Sequence, residues 1–281
     1  MKKTLLTTSL AGLLSVGSVS AQILFVEDFE GQTPGDKPTA TAVRPSTNSA
    51  TVFTEVVENA ANGAGGGAGN GVELFDNESG SGGAFVFENN FVADTASQQS
   101  AVQVSFDFAW QQDLGVTGSY GRFGVGVYDA STAATLNTSG NIFLEVRFGS
   151  DGIFRVVGSG GSTPSVLSAG QAYSFDMFIN DLDSSTIDYT APGGGTVTLA
   201  ANSFAVYLDD VLIRTDGLKN AALSGDSNLG RFGIDSFTSH TGVDYTFDNF
   251  VVSTVVPEPS TYALIAGVTM LGLALVQRRR K

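Results

Sequence analysis

The sequence predicts an all-β domain, a two-sheet sandwich, between two short apolar ends. Apolar and polar residues alternate along short runs between those ends, and the apolar residues there show no helical spacing. The chain contains 35 glycines, 7 prolines and many Thr, Ser and Val residues, which suit short strands joined by tight turns. The segment 22–253 is long enough to bury the core of one large β-domain.

Twelve runs have the pattern of a strand, and Val102–Trp110 is the clearest, with apolar residues on one face and polar residues on the other. Asp209 and Asp210 are the expected hairpin turn between two runs. Two segments are predicted loops: Gly31–Ala50, which contains three prolines, and Asn59–Gly71, which is nearly all Gly, Ala and Asn. In chain order the predicted strands are Ile23–Phe29, Thr51–Val57, Val102–Trp110, Phe123–Tyr128, Ile142–Phe148, Ile153–Val157, Tyr173–Ile179, Thr196–Leu199, Phe204–Leu208, Val211–Arg214, Arg231–Ile234 and Tyr245–Val252.

Residues 1–21 have the three parts of a secretory signal peptide. Lys2 and Lys3 form a positive start, Leu5–Val16 is a short apolar stretch, and the small residues 19–21 provide a cleavage site. We therefore expect signal peptidase to be a processing partner and the mature chain to begin at Gln22. The alternative is an uncleaved anchor or a buried helix.

The opposite end, residues 254–281, also has three parts in a fixed order. Pro257, Glu258 and Pro259 precede an apolar run of about 15 residues, 262–276, which ends in an Arg-rich tail. This end resembles the PEP-CTERM sorting signal of Gram-negative bacteria. The resemblance implies recognition by an exosortase, removal of the helix, and delivery to the outer surface or the exopolysaccharide matrix.

The length of the apolar run bears on whether it anchors the chain permanently. At ~1.5 Å per residue it spans roughly 22 Å, short of a ~30 Å hydrocarbon core. The basic tail is expected to stay in the cytoplasm. We therefore expect a transient anchor in the inner membrane, and the alternative is a permanent single-pass anchor with a chance Pro-Glu-Pro.

The charges exclude several kinds of partner and chemistry. The formal net charge is −14, and six of the 14 basic residues lie in the two ends, so the domain itself carries about −20. Such a surface repels phosphate groups, so nucleic acid is not an expected partner, and only the C-terminal helix is expected to contact a membrane. Cysteine is absent, which excludes disulfides, thiol nucleophiles and Cys-ligated metals.

Three segments of the domain resemble a known fold family. Phe25–Glu30, Phe247–Val252 and the stretch Tyr173–Arg214 are similar to strands of concanavalin-A-like and LamG-like jelly rolls. The resemblance implies a two-sheet jelly-roll sandwich. It implies little about function, because such folds serve as lectins, glycosidases and structural modules alike.

Candidate ligand and catalytic residues are few. Trp110, Tyr120 and Tyr128 are candidate sugar-binding aromatics, with polar residues 111–113 beside the first, but core packing is an alternative for them. His240 is the sole histidine and is expected to be a surface loop residue. The segment Glu73–Glu78 is the nearest approach to a laminarinase-like glycosidase motif, and its spacing puts Glu73 and Asp76 on opposite faces of a strand.

Three acids form a candidate calcium site. Asp28 and Glu30 are expected to project from one face of the first strand, and Asp248 lies in the last strand. If the first and last strands pair, as in similar jelly-roll modules, their hard oxygen ligands suit Ca²⁺. The alternative is that these acids cap strand ends in solvent.

Together these features predict an exported surface or matrix protein with a structural or adhesive role. The alternative is a lectin-like carbohydrate-binding module, with exopolysaccharide as the partner in either case. A glycosidase is the least favoured alternative, so we expect no enzyme activity.

Overall fold

The structure, a computed structural model, describes residues 21–45, 47–59, 69–78, 85–116, 120–136, 142–218, 228–236 and 242–255. These residues form seventeen strands. In chain order they are β1 Ile23–Glu27, β2 Ala42–Arg44, β3 Val52–Glu58, β4 Asn70–Asp76, β5 Phe85–Asn90, β6 Ala101–Trp110, β7 Tyr120–Gly126, β8 Ile142–Gly149, β9 Ile153–Gly158, β10 Gly161–Val166, β11 Ala172–Asn180, β12 Ile187–Thr190, β13 Thr196–Leu199, β14 Ser203–Leu208, β15 Val211–Gly217, β16 Arg231–Ser236 and β17 Val243–Thr254.

Fifteen of these strands form two antiparallel sheets. The first sheet has eight strands in the order β15, β14, β11, β6, β17, β4 and β3, with β1 also paired to β17. The second has seven, in the order β10, β9, β8, β7, β16, β5 and β2. The remaining two, β12 and β13, form a hairpin whose apolar residues contact the outer face of the first sheet through Phe178 and Tyr207.

The hydrophobic core lies between the inner faces of the two sheets. On β6 the alternation places Val104, Phe106 and Phe108 in this core, each at most 2% exposed. The Phe106 ring stacks on Phe175 of the same sheet, with centroids 4.4 Å apart, and lies 5.0 Å from Phe123 of the second sheet. Aromatic contacts of this kind join the two sheets, and the predicted two-sheet jelly-roll sandwich is confirmed.

Every predicted strand is present, with ends shifted by a few residues, but five strands were not predicted. These are β2, β4, β5, β10 and β12. Strand β2 lies inside the predicted loop Gly31–Ala50, and β4 begins inside the predicted loop Asn59–Gly71, so both loop assignments were too long. The Asp209–Asp210 turn between β14 and β15 is confirmed, since both residues have the positive φ values, 48° and 64°, that a tight hairpin turn requires.

The two predicted ends lie outside the described residues, apart from Ala21 and the short stretch leading out of β17. The signal peptide, the Pro257–Pro259 motif and the apolar run 262–276 therefore stay predictions. In the described part of the chain, no helix is long and apolar enough to cross a membrane.

Candidate functional site

The three aromatic residues proposed for sugar binding lie in three different places. Trp110 is 9% exposed on the inner face of the first sheet, and its ring packs against the turn at Gly152, where an added Cβ would lie 2.4 Å from the indole. Tyr120 lies at the start of β7 in the second sheet, and Tyr128 follows the other end of that strand. The three rings therefore do not form one surface. Sugar binding by each of them stays a prediction.

The first and last strands pair, as the calcium hypothesis required, with Glu27 opposite Phe250. The expectation that Asp28 and Glu30 share a face of the first strand was wrong. That strand ends at Glu27, and Phe29, with φ 56°, turns the chain away from it. Asp28 instead accepts a hydrogen bond from the Glu30 backbone N–H at 3.2 Å.

Asp248, the third proposed calcium ligand, is buried and already hydrogen-bonded. Its carboxylate accepts from the side-chain amide of Asn59 at 2.6 Å and from the backbone N–H of Asn249 at 2.7 Å. Burial raises its pKa to about 7. Among the described residues, no group of three or more His, Cys, Asp or Glu side chains is placed to hold a metal. The hydrogen bonds from Asn59 and Asn249 already occupy the Asp248 carboxylate and do not favour calcium binding there. The calcium site stays a prediction.

A row of side chains on the outer face of the first sheet combines aromatic, acidic and amide groups. We call Phe53, Phe75, Asp244 and Gln112 the aromatic–amide row. Phe53 and Phe75 are opposite each other on β3 and β4, half-buried and outside the core, with rings stacked 4.9 Å apart. Phe75 is opposite Asp244 on β17, and the exposed Gln112 donates to that carboxylate at 2.6 Å. The row crosses the sheet from its edge toward β6.

Glu73 lies beside this row and shares a proton with Asp244. Burial, followed by the nearby Asp244 and Glu55 carboxylates, raises the pKa of Glu73 to about 8, and burial also raises that of Asp244. One oxygen of Asp244 is buried and has no donor while both acids are ionised, and a protonated Glu73 supplies that donor. Strands β3, β4, β6 and β17 contain no Lys or Arg, so at neutral pH the proton on Glu73 reduces the charge of the pair from −2 to −1.

The glycosidase-like segment does not assemble as a catalytic pair. Asp76 lies on the opposite face of β4 from Glu73, as its spacing predicted, and accepts from the Ser236 hydroxyl at 2.7 Å. The direct bond between Glu73 and Asp244 is also unlike a glycosidase, where about 5–9.5 Å separates the two carboxyl groups. His240 lies outside the described residues.

The outer face of the second sheet neutralises its acids with arginines instead. Arg231 and Glu88, both at most 1% exposed, form an ion pair at 2.7 Å. Arg122 forms a two-point hydrogen bond with Asp235, both of them also buried. Burial raises the pKa of Asp235 to about 6, against the lowering effect of Arg122, so this acid stays ionised at neutral pH.

The Arg231–Glu88 pair also fastens a chain segment across this face. The two Glu88 oxygens accept from the backbone N–H groups of Thr135 and Leu136, at 3.1 and 3.0 Å. Arg231 donates to two backbone carbonyls of the segment 129–136, at 3.3 and 3.1 Å. The recess between this segment and the sheet is too small for a water molecule, so the charges beneath it are shielded from solvent.

Three arginines lie side by side on adjacent strands, and the first of them, Arg122, lines this recess. Arg122 on β7 is the cross-strand partner of Arg147 on β8, which is the partner of Arg155 on β9. We call these three residues the arginine row. The Arg147 guanidinium lies 4.4 Å from the centre of the Tyr120 ring and pairs with the buried carboxylate of Glu145.

The local sequence pattern predicted few of the residues that form the outer faces of the two sheets. Alternation predicted β3, which contains Phe53, but it did not predict β4, which contains Phe75. The arginines could have been noticed from their scarcity, since only eight Lys or Arg residues lie between positions 22 and 253 and five of them fall on strands of the second sheet. Their partners are too distant in the chain to show a local pattern.

Comparison with known proteins gives similar folds at low identity. No protein-family model and no curated protein matches the sequence. Among solved structures, the globular domain of T. cruzi calreticulin is matched over 92% of this chain and 100% of that one, with 13% identity and a TM-score of 0.46. A carbohydrate esterase from the Shiga toxin-encoding bacteriophage phi24B is matched over 84% and 100%, with 12% identity and a TM-score of 0.48. The cellulose-induced protein Cip1 is matched over 81% and 96%, with 14% identity and a TM-score of 0.48.

Proposed function

We propose that this chain is an exported protein of the cell surface or exopolysaccharide matrix, whose sandwich domain has an adhesive role and binds carbohydrate. The aromatic–amide row is the observation that supports binding. Sugars stack on aromatic faces and hydrogen-bond to amide and acid groups, and the row presents Phe53 and Phe75 next to Gln112. The domain has a Cys-free core that holds this surface in place without any disulfide.

The export part of the proposal is supported by the two sequence ends and by the pairing of the strands next to them. Gln22 donates through its backbone N–H to the Thr254 hydroxyl at 3.0 Å, so the expected mature N-terminus lies beside the strand that leads to Pro257. Sequencing the N-terminus and weighing the surface form tests this. A chain that starts at Gln22 and lacks residues 278–281 supports export and sorting, and one that retains both ends contradicts them.

The binding part is tested by removing one ring of the pair. Phe75→Ala is expected to weaken binding to insoluble neutral polysaccharides, such as cellulose, xylan or chitin, by about tenfold, the effect of ~1.4 kcal/mol. Val57→Ala, on the same face of β3, is the matched control and is expected to bind like the unaltered protein. Equal binding by both variants, or no binding to any of the polymers, contradicts the proposal.

No hydrolysis is expected at this site. Glu73 and Asp244 are hydrogen-bonded directly to each other, closer than the about 5–9.5 Å that separates the two carboxyl groups of a glycosidase. Release of reducing sugars from the same polymers, abolished by Glu73→Gln, is the result that would overturn this expectation.

A further inference from the structure

The arginine row places three positive charges side by side on one face of the second sheet, each beside one acid: Asp235, Glu145 and Asp151. Adjacent strands lie about 4.8 Å apart, and like charges directly opposite each other destabilise a sheet. The surrounding domain is strongly acidic, with only eight basic residues between positions 22 and 253. The two exposed members of the row, Arg147 and Arg155, therefore indicate a surface that meets an anion.

The acids around the row lie below it rather than over it. The side chains of Asp235 and Glu145, which pair with Arg122 and Arg147, are only 6% and 2% exposed. The side chains of Arg147 and Arg155, in contrast, are 32% and 33% exposed. The surface acid facing Arg155 is Asp151, at 3.9 Å, a separation at which an exposed pair contributes little. The exposed charges of the row are thus those of Arg147 and Arg155, with Asp151, 35% exposed, beside Arg155.

We propose that Arg147 and Arg155, the exposed members of the arginine row, together with Tyr120 bind an acidic, uronic-acid-type polysaccharide through its carboxylate groups. The planar guanidinium fork matches a carboxylate at two points. A polymer with one carboxylate per sugar offers charges at a spacing close to that of adjacent strands. Tyr120, half-buried beside Arg147, supplies a ring edge for the sugar itself. This site is on the opposite sheet from the aromatic–amide row and does not depend on neutral-sugar binding there.

The net negative charge of the whole domain disfavours the binding of polyanions that carry more charge per unit length. Nucleic acid carries a phosphate charge every ~1.7 Å of duplex, and the domain's net charge of about −20 repels it. A uronate polymer carries fewer charges for its length, so the rest of the surface repels it less strongly than it repels nucleic acid.

Polygalacturonate tests the proposal, with its fully methyl-esterified form as the uncharged control polymer. The protein is used as the secreted full chain. We expect the acid to bind and the ester not to bind. Binding is expected to weaken when ionic strength rises from about 0.01 M to about 0.15 M, because salt screens exposed charges. Equal binding of acid and ester overturns the proposal.

Variants of single arginines locate the site. Arg155→Gln is expected to weaken polygalacturonate binding at least tenfold, and Arg147→Lys, which keeps the charge but loses the fork, by a smaller factor. Arg44→Gln removes the same charge from the exposed edge strand β2 of the same sheet and is the matched control. Equal losses in Arg155→Gln and Arg44→Gln, or competition by duplex DNA as effective as by polygalacturonate, would contradict a carboxylate site at the row. Melting temperatures of all variants show whether each remains folded.

Discussion

The outer faces of the two sheets both bury acids, but different partners stabilise those acids. On the second sheet, Glu88 and Asp235 are paired with Arg231 and Arg122. On the first sheet, Glu73 and Asp244 lie on strands that contain no Lys or Arg, and they share a proton. A buried carboxylate is costly unless it is paired or neutralised. The chain has few bases and places five of them on strands of the second sheet, and the pKa of Glu73 on the first sheet, about 8, is higher than that of Asp235 on the second, about 6.

The largest expected effect comes from breaking an ion pair on the second sheet. Arg231→Met leaves the Glu88 carboxylate buried without its cation and is expected to lower the free energy of unfolding by about 3–5 kcal/mol. Urea unfolding measures this. The double variant Arg231→Met/Glu88→Leu removes both charges and should recover most of the loss, so a double variant as unstable as the single one would contradict the explanation.

The buried acids of the first sheet should make the stability of the domain depend on pH. The pKa of Glu73 is raised from 4.5 to about 8, so the folded state binds this proton more tightly than the unfolded chain. The free energy of unfolding should therefore fall as the pH rises from 4.5 through about 8. Asp248, with a pKa of about 7, acts in the same direction.

Glu73→Gln separates the contribution of the shared proton from that of other acids. The amide that this substitution introduces can donate to Asp244 at every pH, so melting temperature should fall less steeply between pH 5 and 9 than in the unaltered protein. Glu58→Gln, at the exposed end of β3, is the matched control. If both variants follow the unaltered curve, the proton is not shared between Glu73 and Asp244.

The smallest effect on stability is expected at the exposed end of the arginine row. The Arg155–Asp151 pair is long and a third exposed, so Arg155→Gln should change the free energy of unfolding by less than about 0.5 kcal/mol. Urea unfolding compares it with Arg231→Met. A loss of several kcal/mol would mean that Arg155 supports the fold and would remove the main argument for a binding role.

Local pattern was enough to predict most of the fold. The alternation in Val102–Trp110 identified the central strand β6, and Asp209 and Asp210 identified a turn, because both signals depend on neighbouring residues. Strand β10 was missed since glycine and Pro164 interrupt its pattern, and β2 has only three residues. Such strands form because their neighbours in the sheet pair with them, which the local sequence does not show.

The candidate sites were harder to predict because they join distant segments. Arg122 and Asp235 are 113 residues apart in the chain. Trp110, the most attractive sugar-binding candidate by residue type, shares its face of β6 with Phe106 and Phe108 and is therefore in the core. The same alternation that predicted the strand also indicated where this ring would lie.

The central claim is that the two faces of one domain bind different polysaccharides, and a bridging measurement tests it most directly. The protein is first bound to an insoluble neutral polysaccharide, and soluble polygalacturonate is then added. We predict that the acidic polymer is retained only when the protein is present. Phe75→Ala should reduce the protein bound to the solid, whereas Arg155→Gln should reduce only the polygalacturonate retained. Displacement of the protein from the solid by polygalacturonate, or loss of both interactions in Arg155→Gln, would contradict two separate faces.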